Sequence, residues 1–277
     1  MARLRSRQIL LLASGVGLVV LLSASSAFSQ DTQGASQNIE AAAPPAVQLP
    51  TFPDPNASAA VLEQQGDELR AAKRYIDSLD FYNLALRKQP TALLWNKEGM
   101  SYLLLQKPDK AAKAFDHAIK IDKTAPEGYN NRGYIEQMKK KYDKAIKYYE
   151  KAIKLRPTDA VFYFNMGTCY FGKHNYPQAA KEYQTAFTLD PDIFVRVSRI
   201  GIMAQSTSPE DRAAFSFMVA RMYAKAGDVD RSLEYLRKAM ENGYRDINKV
   251  YTESEFASLR TDKRFEELMA QRPQAIQ

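Results

Sequence analysis

A single cysteine, Cys169, stands in 277 residues. No intrachain disulfide can form, and no cysteine-based zinc cluster. Histidine is nearly as scarce: His117 and His174 leave no material for a histidine-rich metal site. The sequence has no glycine-rich phosphate loop, no metal-ligand spacing and no nucleophile elbow. No constellation of acid, base or nucleophile speaks for an enzyme, and no cofactor or metal is expected. Neither sign of charge dominates. The formal net charge is +7, and Arg3, Arg5 and Arg7 supply three of those charges before any acid appears. So mild an excess is a weak argument for nucleic acid, and no nucleic acid is expected as a partner. With 45% hydrophobic and 26% charged residues, the remainder is the composition of a globular chain.

Only one stretch lacks charge for long. Ile9 to Leu22 follows the three arginines, and small residues from Ser23 to Ser29 follow it. This is the three-part plan of a secretory signal peptide over residues 1–29. Cleavage is expected after Ser29, leaving Gln30 first, with a cut after Ala27 as the second choice. No cysteine lies near the site, so a lipoprotein anchor is excluded. The apolar run is shorter than the ~20 residues that span a bilayer; an uncleaved inner-membrane anchor over residues 9–28 is the minority reading, and the only one that brings in a membrane. Either way the body is expected outside the cytoplasm, periplasmic or secreted. Residues 30–58, with Pro44, Pro45, Pro50, Pro53 and Pro55, read as a flexible linker.

From residue 59 the chain repeats. Glycine recurs at Gly66, Gly99, Gly133 and Gly167, at spacings of 33, 34 and 34. Twelve residues on stands a small residue, Ser78, Ala111, Ala145 or Ala179; four further an aromatic, Tyr82, Phe115, Tyr149 or Tyr183; three after that Ala85, Ala118, Ala152 or Ala186. Pro90, Lys123, Pro157 and Pro191 close the units, and Leu62, Trp95, Tyr129 and Tyr163 precede the glycines by four. Lys123 in place of proline, and Glu136 three after Gly133, are the departures.

This register resembles the tetratricopeptide repeat (TPR) over residues 59–191. The resemblance implies an all-α fold, a right-handed α-α superhelix (TPR solenoid) of four regular repeats, about 59–91, 92–125, 126–159 and 160–193. Each unit is then two antiparallel helices, A and B. The glycine on A and the small residue on B allow close approach, the aromatic fills the space beside them, and the proline ends B. Stacking makes the core that no single pair can make.

Past Pro191 the register slips. Ala220, Ser232, Leu236 and Ala239 are the next matching set, 19 residues late, which leaves residues 192–208 as an insertion. Within it, Val195 and Val197 alternate with Arg196 and Ser198, which suits an extended segment. Ser208-Pro209-Glu210-Asp211 is a helix start, with Gly227 as its stop. A second helix from Val229 to Asn242 completes a degenerate fifth repeat over 209–243. Residues 244–277 are similar to the closing module of bacterial TPR proteins, in which two short helices hold Phe256, Leu259, Arg260, Arg264, Phe265 and Leu268. Their expected role is to cap the solenoid.

The resemblance places the A helices along a concave groove. The groove positions hold Glu63, Asn96, Asn130 and Phe164; Gln64, Lys97, Asn131 and Asn165; and Asp67, Met100, Tyr134 and Thr168. With Trp95, the candidate contacts for an extended peptide are Asn96, Met100, Asn130, Asn131, Tyr134, Phe164, Asn165 and Thr168. An amide offers a donor and an acceptor, as a peptide backbone does, and an aromatic offers apolar area at little entropic cost. The alternative is that these asparagines only solvate the face or bond neighbouring helices. The two-lysine, two-asparagine, one-arginine carboxylate clamp of some TPR domains does not fit. One register gives Glu63, Asp67, Lys97, Glu127 and Asn131, the other Asn96, Met100, Asn131, Val161 and Asn165, and only Asn131 in the second agrees.

Two features stand apart. Cys169 is expected as a buried structural thiol. Lys139, Lys140, Lys141, Lys144, Lys147, Lys151 and Lys154 crowd one predicted helix; they read as a solvated face, or as a surface for an anionic partner or lipid. The expected function is a non-catalytic protein–protein interaction scaffold in the bacterial cell envelope with a peptide in the groove. The alternative is a membrane-tethered spacer or assembly factor using the basic face or residues 194–207.

Overall fold

The computed structural model describes residues 52–199 and 208–271. The expected signal segment, most of the linker, residues 200–207 and the last six residues lie outside that range. The described residues are all-α, with no strand among them. The chain divides into two compact units, residues 1–139 and 140–277, each described by itself below.

In the first unit, α1 (Ala59–Ala71) packs with α2 (Tyr75–Lys88), α3 (Ala92–Leu104) packs with α4 (Pro108–Ile121), and α5 (Pro126–Met138) packs on α4 and α3. Local chemistry sets the ends. Ser58 and Thr91 cap α1 and α3 by accepting from the N–H of Val61 and Leu94. The turn into each B helix passes through one left-handed residue, Lys73 at φ 62° and Gln106 at φ 56°. There the N–H of Arg74 reaches Leu69 O and that of Lys107 reaches Tyr102 O, both at 2.8 Å. Each B helix ends in an extended residue, Gln89 or Asp122, whose N–H goes back to the carbonyl of Ala85 or Ala118. Pro90 enforces that geometry on Gln89, because the residue before proline avoids the helical region. Lys123 cannot. Instead Asp122 accepts from the N–H and the hydroxyl of Thr124, at 2.8 and 2.6 Å, and an Asx turn replaces the missing proline.

The recurring glycine has a simple cause. A Cβ on Gly66 would sit 2.5 Å from the Tyr82 ring, and one on Gly99 2.4 Å from the Phe115 ring. The aromatic therefore lies directly over the glycine and fills the place of its side chain. In the second unit Gly167 stands in the same relation to Tyr183, at 2.8 Å.

The second unit contains α6 (Tyr142–Leu155), α7 (Ala160–Gly172), α8 (Tyr176–Leu189), α9 (Ile193–Arg199), α10 (Pro209–Ala226), α11 (Val229–Glu241) and α12 (Lys263–Gln271), with short 3-10 turns at 247–251, 254–256 and 259–261. α7 pairs with α8 and α10 with α11. Ser208 caps α10 through the Asp211 N–H, and Gly227, at φ 79°, ends it. Where the B-helix aromatic gives way to buried Leu236, the register's glycine gives way to Ala220, whose carbonyl takes the Ser232 hydroxyl at 2.9 Å.

Two expectations need correction. Residues 193–199 are helical rather than extended. The alternation of Val195 and Val197 is outweighed by burial of Ile193 and Phe194, the Phe194 ring packing against Phe164, Tyr183, Phe187 and Phe215. The closing segment holds three 3-10 turns and one nine-residue helix instead of two short helices. Phe256, Leu259, Phe265 and Leu268 are all buried in the cluster that includes Phe217 and Leu236. Arg260 ties the turns by donating to the carbonyls of Val250 and Glu253, at 2.9 and 3.0 Å.

Candidate functional site

In the first unit the candidate residues lie on α3 and α5. Asn131 Nδ2 donates to Asn96 Oδ1 at 3.3 Å, and Asn130 Nδ2 donates to Asn131 Oδ1 at 3.2 Å. The three amides thus form a chain from α3 to α5. They are largely covered: Asn131 is 4% exposed. Beside them Met100 and Tyr134 are half-buried, and burial holds the Tyr134 phenol above its ordinary pKa. Trp95 is half-buried too. Its ring stacks on His117 of α4 with centroids 4.4 Å apart, and it also packs against the core of α1 and α2.

The neighbouring register positions form an ion network that sequence reasoning did not foresee. Lys97 of α3 is held by both Glu63 and Asp67 of α1. Tyr82 donates its hydroxyl to Asp67 at 2.7 Å and accepts from Arg70 Nε at 3.2 Å. Burial pushes the Tyr82 phenol far above its ordinary range. Lys97 is thus committed to two carboxylates of its own chain, and does not present a free cation to a ligand's terminus. The signal was present in the sequence: Glu63 and Lys97 stand 34 residues apart, one repeat, and Asp67 follows Glu63 by one helical turn.

A buried acid lies on α3. Glu98 is 4% exposed, and desolvation raises its carboxyl to about 7.

In the second unit Phe164 is 3% exposed and belongs to the core. Its ring meets Tyr183 and Phe194 at centroid distances of 5.3 and 6.1 Å. Phe194 comes from α9, outside the regular register, and it encloses the ring that the repeat pattern alone places in a groove. Thr168 donates to Phe164 O at 3.0 Å and accepts from the Tyr183 hydroxyl at 3.2 Å. Asn165 is half-buried. Cys169 is fully buried with Ala145, Ile146, Tyr149 and Met166, and desolvation drives its thiol far above the range of a reactive cysteine. Among the described residues no cluster of metal-ligating side chains occurs, and no helix is long and apolar enough to cross a membrane.

Family models described as tetratricopeptide repeat match residues 92–125, 126–159 and 148–181. The chain is 29% identical over 70 residues to a chloroplastic protein of Arabidopsis thaliana, a match that covers 25% of this chain and 21% of that protein. It therefore spans about a fifth of that relative's length. Among solved structures it is similar to MamA from Desulfovibrio magneticus RS-1 at 17% identity and TM-score 0.47, covering 66% of this chain and 94% of that one. It is also similar to TTC0263, a thermophilic TPR protein of Thermus thermophilus, at 18% identity and TM-score 0.46, covering 77% and 100%. A third is YrrB, a TPR protein with an unusual peptide-binding site, at 17% identity and TM-score 0.45, covering 70% and 92%.

Proposed function

We propose, from the premise that this chain is a tetratricopeptide-repeat protein, that it is a non-catalytic interaction scaffold holding a partner peptide on the α3–α5 face. The observation that carries this reading is the pair of half-buried side chains Met100 and Tyr134, at matching register positions of α3 and α5, beside the covered amide chain Asn96–Asn131–Asn130. The amides are turned inward and bond one another, so their part is to fix α3 against α5 and hold the face in shape for a ligand. Met100 and Tyr134 supply the apolar area that interfaces favour. Asn165 and Thr168, both half-buried, are proposed as contacts in the second unit, whereas buried Phe164, Asn96, Asn130 and Asn131 are left out as direct contacts. We place the scaffold in the cell envelope on the sequence of residues 1–29, whose arginines, apolar run and small residues make an export signal.

The test is a peptide-display selection on the full chain, repeated with the Met100→Gln, Tyr134→Gln double variant after its melting curve has been compared with that of the parent. Selected peptides should bind the variant about tenfold or more weakly, the share expected when anchoring side chains are lost. Equal binding by a variant of unchanged stability would refute the α3–α5 face.

A further inference from the structure

We propose that the outer face of α6 is a docking surface for an anionic lipid bilayer. Lys144, Lys147, Lys151 and Lys154 are all exposed on this helix. At 3.6 residues per turn they fall within an arc of roughly 80° and along about 15 Å of axis. The opposite side of α6 carries the buried residues Ala145, Ile146, Tyr149 and Ala152. Lys140, in the turn before the helix, is exposed as well.

Two acids of α6 lie beside this face rather than on it. Asp143 lies at the edge of the arc, and Lys173 from the far end of α7 holds it. Glu150 lies on the side turned toward Tyr170 of α7. Lys144, Lys147 and Lys154 enter no ion pair among the described residues, whereas Lys97, Lys139, Lys173, Lys238 and Lys249 all do. Cations spaced about 5 Å apart along a helix stand within one Debye length of their neighbours and create a local positive potential.

The composition of the face favours a lipid surface over an acidic protein. All its cations are lysines. Planar, two-pronged recognition of a carboxylate calls for arginine, and protein interfaces are enriched in tryptophan, tyrosine and arginine and depleted in lysine. A fluid layer of headgroups asks only for charge density. Leu155, exposed at the end of the stripe, adds apolar area at the depth where headgroups meet acyl chains. The same pattern occurs one repeat earlier. On α4 of the first unit Lys110, Lys113, His117 and Lys120 are exposed at the matching positions, and Ile121 is exposed where α6 has Leu155.

The experiment is sedimentation of the full chain with vesicles of phosphatidylcholine alone and with vesicles containing about a third phosphatidylglycerol. Uptake onto neutral vesicles gives the baseline set by the apolar run Ile9–Leu22. The variant is Lys144→Gln, Lys147→Gln, Lys154→Gln, which keeps helix propensity. The control is Lys123→Gln, Lys225→Gln, Lys263→Gln, which removes the same charge elsewhere. The proposal expects binding to anionic vesicles above the baseline, lost at least about tenfold in the α6 variant and less than about threefold in the control. Equal losses in both variants, or no binding above baseline, overturn it. Binding to polyglutamate in place of vesicles overturns it in favour of an acidic protein partner. The α3–α5 peptide face is untouched by either variant, so the two readings fail separately.

Discussion

The hydroxyl of Tyr82 donates to the carboxylate of Asp67 at 2.7 Å, and the same bond recurs at a later repeat between Tyr183 and Thr168 at 3.2 Å. Both pairs are 15 residues apart in sequence, and in both the tyrosine ring covers a glycine. Phe115 has no hydroxyl, and the partner position there is Met100, which packs on its cluster. In these three repeats the residue presented next to the candidate binding face matches the tip of the B-helix ring: polar over a phenol, apolar over a phenyl. Exchanging the pair should be tolerated where exchanging one member is not. Tyr82→Phe is expected to cost about 1–2 kcal/mol, because Asp67 and Arg70 each lose a partner. Tyr82→Phe with Asp67→Met, which copies Phe115 and Met100, should cost less than the sum of the single changes. Urea unfolding of the three variants measures the coupling.

The contact between ring and glycine gives a second cycle. Gly99→Ala places a methyl 2.4 Å from the Phe115 ring and should destabilise by about 1–3 kcal/mol through overpacking. Gly99→Ala with Phe115→Leu copies the Ala220 and Leu236 pair. It should be more stable than Gly99→Ala alone, as read from denaturant midpoints.

The left-handed turn residues carry backbone strain. Gln106, at φ 56°, occupies the place that Gly227 holds in the fifth pair. Gln106→Gly should raise stability by about 0.5–1 kcal/mol, since only glycine adopts this conformation freely. A fall in melting temperature would contradict the strain.

Glu98 sets a pH dependence. Burial raises its folded-state value to about 7, above the ordinary 4.5, so the folded chain holds a proton that the unfolded chain has released. Its favourable contribution is present below about pH 4.5 and is lost as the pH rises through 7. Glu98→Gln should therefore be neutral near pH 4 and stabilising by about 1–3 kcal/mol at pH 8. Urea midpoints of both proteins across that range test the sign; a variant less stable at pH 8 would refute it.

The helix pairs were legible because their cause repeats. Each glycine, ring and alanine must recur at 33 or 34 residues for one pair to stack on the next. The substitute for the missing proline was not legible, because Asp122 and Thr124 act through side-chain bonds at one turn only. Nor was the helix at 193–199, since its burial is decided by Phe215 and Phe164, distant in sequence. The register located Asn96 and Asn131 on adjacent A helices, but not their bond to each other. It placed Phe164 on the face and could not foresee Phe194 covering it.

The central claim is that a peptide binds the α3–α5 face, and amide hydrogen exchange of the full chain with and without a display-selected peptide tests it most directly. The account predicts added protection in residues 92–104 and 126–138, absent in the Met100→Gln, Tyr134→Gln variant. Protection confined to other helices, or unchanged in the variant, would contradict it.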